Sequence, residues 1–309
     1  MKAVRFYEVG GPEVLQYGDV EQPEPGRGEV RLRVAASAFN AADNGMRAGF
    51  LPIPVRLPHV PGYDVSGTVD ALGEGVDGLT IGDEVIGFLP MAEDGGAAEY
   101  VIAPAEVLVG APTTVPLADA AALPSVALTA RQALFDDGGL VAGERVLIVG
   151  AGGVVGKYAI SLAQRTGATV IATASPRSAE AVRAAGADQV IDHTTTPVQD
   201  VLAAPVDLLL NLAPIDPEEF TNLVRLVRDG GRVVSTTAWM PAPDDAARNV
   251  RSTVVFVRSD ADRLRELVGL LDSGHLTLEV SRRIPLADLP ALHAEAAEGR
   301  IVGKVIVLP

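Results

Sequence analysis

Gly150-Ala151-Gly152-Gly153-Val154-Val155-Gly156 is the stretch of this chain best suited to holding a charged ligand. Glycines let a backbone turn tightly and approach a pyrophosphate, and a helix that starts there offers free N–H groups and a partial positive charge. The spacing is G-x-x-G-x-x-G, because position 155 is Val where the strict G-x-G-x-x-G pattern has glycine. Context supports the assignment. An apolar run, Arg145–Val149, precedes the glycines, a helical pattern follows to about Thr166, and a second apolar run ends at Ala174. Glycines opening the helix of such a strand–helix–strand unit predict a dinucleotide site, with Gly150, Gly152, Gly153, Val154 and Gly156 around the phosphates.

The end of the second strand bears on which dinucleotide. A carboxylate there suits the ribose 2′-OH of NAD and repels a 2′-phosphate. Here the chain reads Ala174-Ser175-Pro176-Arg177-Ser178, and the first carboxylate is Glu180. A serine hydroxyl and a guanidinium bind a phosphate through charge-assisted hydrogen bonds, so Ser175 and Arg177 predict NADPH. The competing reading makes Arg177 a solvated residue at a helix start.

These residues need elements to position them. Up to about residue 110, short runs rich in Val, Ile and aromatics are cut by Gly and Pro, which predicts an irregular antiparallel β domain, open to a barrel-like arrangement. From about residue 115, apolar strands alternate with helical segments such as Asp216–Asp229, the signature of a parallel α/β sheet. The last fifty or so residues are mixed again and can rejoin the first domain. The 309 residues suit two domains. Hydrophobic residues make up 48%, which excludes disorder. The absence of cysteine excludes disulfides, thiolate nucleophiles and Cys-ligated metal. A formal net charge of −15 argues against nucleic-acid binding. The start lacks a signal-peptide pattern, and no apolar run reaches the roughly 18 residues of a membrane span, so the expectation is a cytoplasmic protein with no membrane partner.

The ordered motifs resemble a known family, the zinc-independent medium-chain dehydrogenases/reductases of the NADPH:quinone oxidoreductase-like group. The marks are Met1–Leu15, Pro61–Gly67, Gly82–Val85, Gly96–Tyr100, Ala121–Pro124 with Thr129-Ala130, the glycine loop, Gly186–Asp188 and Gly303–Val305. The resemblance spans essentially the whole chain. It implies a GroES-like β-rich catalytic domain from residues 1–115 and 255–309, with a Rossmann doubly wound parallel sheet from 116–254 inserted into it. The substrate would sit in the interdomain cleft beside the nicotinamide. Asn40 and Asp43 would line the nicotinamide end, and Thr129 would contact the carboxamide. Gly152, Gly153 and Val154 would hold the pyrophosphate, and Ser175 and Arg177 the 2′-phosphate. His193, Asn211, Ser235, Phe256 and Val257 would border the cofactor, and Lys304 would reach a phosphate.

Each residue also has a plainer role. Asn40 and Asp43 can cap the helix after them, and Thr129 can bond back to its own helix. His193 can be a surface residue, and Phe256 a core or interface residue. The zinc-dependent relatives use a Cys and a Gly-His-Glu motif; the matching places here are Asn40 and Gly62-Tyr63-Asp64, and the four histidines lack metal-ligand spacing. No metal is expected, so the acceptor must be activated by conjugation, as in quinones and enones. The family's Asn-Pro-x-Asp is Asn40-Ala41-Ala42-Asp43 here, and Phe50 is the nearby aromatic. Alternatives are a biosynthetic enoyl reductase and a nonenzymatic NADPH-binding redox sensor. The apolar run Ser252–Val257 predicts a homodimer through a sheet edge, as the family resemblance implies.

Overall fold

The apolar runs of the first third of the chain form short strands: β1 (Lys2–Phe6), β2 (Leu15–Asp19), β3 (Glu29–Ala38), β4 (Asp64–Leu72), β5 (Glu84–Phe88), β6 (Tyr100–Pro104) and β7 (Leu108–Gly110). β1 and β2 make an antiparallel ribbon. β3 is the longest of these strands and alternates, burying Val30, Leu32, Val34 and Ala36. Val30, Leu32 and Val34, with Val65, Val69, Val85, Leu89 and Val101, form one apolar core. The structure is a computed structural model that describes residues 1–237, 240 and 242–309.

The inserted part contains β8 (Arg145–Val149), β9 (Thr169–Ala174), β10 (Gln189–Asp192), β11 (Val206–Asn211), β12 (Val227–Ser235) and β13 (Arg251–Val254). All their pairings are parallel, in the order β10-β9-β8-β11-β12-β13. The chain winds outward from β8 in one direction and from β11 in the other. Their junction is the switch point at which doubly wound sheets bind ligands. Leu147, Ile171, Leu209 and Val233 face Phe220 and Leu223 of the helix Pro217–Val224 in the core of this sheet. That helix starts at Asp216, whose carboxylate accepts hydrogen bonds from the Glu218 and Glu219 N–H groups.

The chain then returns to the first unit as a helix (Ala261–Asp272), β14 (Arg282–Pro285), a helix (Leu289–Ala297) and β15 (Val305–Leu308). β15 lies antiparallel to the end of β3, with Ile306 opposite Ala38, while β6 pairs with the start of the same strand. The sheet runs β14-β15-β3-β4-β5-β7, with β6 paired to β3.

Two compact units result, residues 1–125 with 259–309 and residues 126–258. The fold is a GroES-like β-rich unit with a Rossmann sheet inserted. The first division lies later than residue 115 because Ala121 and Ala122 pack on Ala36, Ala38 and Ile306 of the β-rich unit. No helix among the described residues is long and apolar enough to cross a membrane.

Candidate functional site

Asn40 follows β3 and stands immediately before the helix Ala41–Arg47. The strand register determines what surrounds it. Continuing the β3–β15 pairing brings Lys304 opposite Asn40, and Asp64 opens β4 across from Ala38. A buried polar cluster forms there. Lys304 Nζ donates to Asn40 Oδ1 at 2.5 Å and to Asp64 Oδ2 at 2.9 Å. Asn40 Nδ2 donates to Asp64 Oδ2 at 2.9 Å. From the start of the helix Pro124–Arg131, the Ser125 N–H donates to Asp64 Oδ1 at 2.7 Å and the Ser125 hydroxyl to Asp64 Oδ2 at 2.6 Å. Asp64 is fully buried, so its charge is tolerable only with this many donors and a cation beside it.

Asp43 sits one helical turn on. Its Oδ2 accepts from the Asn40 N–H at 2.7 Å and its Oδ1 from the Gly62 N–H at 3.1 Å. It therefore caps the helix and ties it to the approach to β4. Burial pushes its carboxyl up to about 7, against the pull of the two N–H groups and of Lys304. The capping role read from the sequence is present, and both Asp43 oxygens are engaged by backbone N–H groups.

Lys304 was expected to reach a phosphate. It is 3% exposed and its ammonium is committed to Asn40 and Asp64, because the register buries it. Asp64 and Ser125 were not among the expected site residues. The signal for the first was its place in Gly62-Tyr63-Asp64, at the head of β4, where the zinc-dependent relatives carry the glutamate of Gly-His-Glu. Nothing local marked Ser125.

The carboxyl ends of the parallel strands bring the remaining residues to one edge of the Rossmann sheet. Gly150 follows β8 with φ +77°, and a Cβ there would stand 2.7 Å from Ala213 Cβ. Its N–H donates to Thr173 Oγ1 at 3.1 Å. The turn continues through Gly152 and Gly153 into the helix Val154–Thr166. At Gly156 a Cβ would stand 2.3 Å from the Ala151 carbonyl oxygen, so only glycine lets that helix pack on the loop. Ser175 follows β9, and Arg177 is exposed, with no ion pair among the described residues. His193 follows β10 and is exposed. Asn211 and Ser235 end β11 and β12, both buried, with Asn211 Nδ2 donating to Ser235 Oγ at 3.3 Å. Past β13, Phe256 is 50% exposed and Val257 half-buried. Thr129 is half-buried in the helix Pro124–Arg131 and belongs to this unit, whereas Asn40, Asp43 and Lys304 belong to the other.

The glycine turn, with its helix N-terminus and room for a backbone approach, fits a dinucleotide. The zinc positions do not fit zinc. Asn40 Oδ1 already accepts from an ammonium, and the Tyr63 hydroxyl is buried 3.0 Å from His59 Nε2. Among the described residues, no cluster of three His, Cys, Asp or Glu side chains is placed to hold a metal ion.

Residues 26–113 match the family described as "Alcohol dehydrogenase GroES-like domain", and residues 185–307 match "Zinc-binding dehydrogenase". The "Chloroplast envelope quinone oxidoreductase homolog" of Arabidopsis thaliana is 31% identical over 327 residues, covering 100% of this chain and 98% of that protein. The "NADPH-dependent alkenal/one oxidoreductase, chloroplastic" of the same plant is 32% identical over 328 residues, covering 100% of this chain and 80% of the relative. Among solved structures, the quinone oxidoreductase from Coxiella burnetii superposes with a TM-score of 0.91 at 29% identity, covering 100% of this chain and 99% of the other. Similarity that runs from end to end in sequence and in fold makes this chain a member of the medium-chain dehydrogenases/reductases of the quinone oxidoreductase type, a family that binds a nicotinamide cofactor.

Proposed function

We propose that the chain is an NADPH-dependent reductase of quinones or α,β-unsaturated carbonyls that works without a metal ion. The loop after β9 carries the reading: Ser175 and an exposed Arg177 follow the strand, and no carboxylate precedes Glu180. The name of the Arabidopsis alkenal/one oxidoreductase supports both the cofactor and the acceptor class. A bound nicotinamide supplies the hydride.

The chain's own residues bind and orient. Gly152, Gly153 and Val154 hold the pyrophosphate, Gly150 makes the turn with its N–H tied to Thr173 Oγ1, and Gly156 keeps their helix close to the turn. Ser175 and Arg177 hold the 2′-phosphate. His193, Asn211, Ser235, Phe256 and Val257 border the cofactor. Thr129 serves the carboxamide, and Asn40, with Asp43 capping behind it, serves the nicotinamide end. With no thiolate or imidazole to hold zinc, no Lewis acid polarises a simple ketone. Conjugated acceptors spread the developing charge over their own π system, and positioning supplies on the order of 7–11 kcal/mol of the barrier lowering. A homodimer through the edge strand β13 completes the proposal.

The test is NADPH and NADH oxidation followed by absorbance against quinones, alkenals, enones and enoyl thioesters. The expected result is turnover of quinones or enones with kcat/KM at least about tenfold higher for NADPH, since hydrogen bonds between charged groups contribute about 1.5–3 kcal/mol. Equal use of both cofactors would remove the NADPH assignment. Turnover confined to enoyl thioesters would point to a biosynthetic reductase, and tight NADPH binding with no turnover to a binding protein.

A further inference from the structure

Only three of the 25 basic residues are lysine, and Lys304 is one of them. It is 3% exposed, in a chain that meets nearly all of its need for positive charge with arginine. A compact ammonium with three rotatable donors suits a site where oxygens converge from several directions, whereas the planar guanidinium fork does not. Two such oxygens converge on Nζ, Asn40 Oδ1 at 2.5 Å and Asp64 Oδ2 at 2.9 Å.

The hydroxyl of Ser125 lies near both acceptors, 2.6 Å from Asp64 Oδ2 and 3.1 Å from Asn40 Oδ1. It has one proton, and the shorter contact to the carboxylate takes it. Lys304 then holds Asn40 Oδ1 beside the Asp43 N–H of the capping box, while Asp64 Oδ2 and the Ala38 carbonyl hold Asn40 Nδ2. Every polar atom of the Asn40 carboxamide is thereby oriented, on a residue that is itself only half-buried. Asn40 and Asp64 stand where the zinc-dependent relatives carry a cysteine and the glutamate of Gly-His-Glu.

We propose that Lys304 is the resident cation of this site, a positioning residue that neutralises Asp64 and locks the Asn40 carboxamide, the electrostatic task a bound metal ion performs where such ligands meet one. The effect on turnover rests on the reductase reading above; the effects on stability and on Asn40 do not.

The full-length chain is compared with Lys304→Met, Asp64→Asn and the double variant. Hydrogen exchange of the Asn40 side-chain amide, read by nitrogen-15 NMR, is expected to be slow in the parent and at least about tenfold faster in Lys304→Met, as a charge-assisted hydrogen bond is lost. Each single variant leaves one buried charge uncompensated, so its melting temperature is expected to fall by roughly 10 °C. The double variant buries neither of these two charges and is expected to lose clearly less than the sum of the two. In turnover, Lys304→Met is expected to lower kcat about 10–100-fold with KM for NADPH nearly unchanged.

Unchanged Asn40 exchange in Lys304→Met, or additive melting losses, would overturn the proposal. If Lys304→Met fails to fold, the double variant decides against Asp64→Asn alone: faster Asn40 exchange than in Asp64→Asn supports it, and equal exchange overturns it. A parent inactive on every acceptor would sink the reductase reading, while exchange and melting still judge Lys304.

Discussion

Asp43 and His293 are two buried titratable residues whose burial acts in opposite directions on stability. Desolvation pushes Asp43 up to about 7 and His293 down to about 3, the latter helped by the Arg47 guanidinium. For Asp43 the folded value lies above the unfolded one, so its stabilising contribution is full below about 3.8 and is lost as pH rises to 7. For His293 the folded value lies below the unfolded one, so its contribution is full above 6.5 and is lost as pH falls toward 3. Between pH 4 and 6.5 the two slopes, each about 1.4 kcal/mol per pH unit, oppose one another and nearly cancel. Removing either partner should expose the other. Asp43→Asn is expected to melt progressively higher as pH rises through 4 to 6, although it loses one of two backbone hydrogen bonds. His293→Gln is expected to melt progressively lower as pH rises through 4 to 7. Melting profiles that stay parallel to the parent in both variants would contradict the assignment. Asp43 was visible in the sequence because a carboxylate three residues after Asn40 is a capping signal. His293 was not, because its partners Asn44 and Arg47 lie far away in the chain.

At the scale of elements, the strand–turn–helix unit around the glycine loop was legible because its information is local. The apolar run becomes β8, the helix begins at Val154, and it ends at Thr166 where Gly167 takes φ +84°. Packing of that helix onto the turn depends on Gly156. Gly156→Val is therefore expected to displace the helix N-terminus and weaken NADPH binding at least about tenfold by fluorescence titration, as overpacking costs about 1–3 kcal/mol or more. Retained affinity would mean that the turn is not the phosphate cradle. Less of the sequence pattern foretold that β12 starts as early as Val227, with a register shift against β11, or that the helix Pro124–Arg131 continues as wide turns through Gln132–Asp137. Both irregularities are imposed by neighbours rather than by propensity.

At the scale of the molecule, β13 ends the six-strand order with one edge unpaired among the described residues, and the exposed Phe256 follows it. Open strand edges recruit partners, so the chain is expected to have the mass of two copies by light scattering at micromolar concentration. The mass of one copy would remove the homodimer. What the sequence alone determined is what short stretches encode: the alternation that makes strands, the glycines that make a turn, and the strand end without a carboxylate that bears on the cofactor. The return of the final strand to β3 decided what no short stretch could. Lys304 lies 264 residues from Asn40, and only the β3–β15 register brings them within hydrogen-bond distance. Pairing of distant strands is set by which apolar faces are buried together, a property of the whole sheet, and with it came the buried Asn40–Asp64–Ser125–Lys304 cluster.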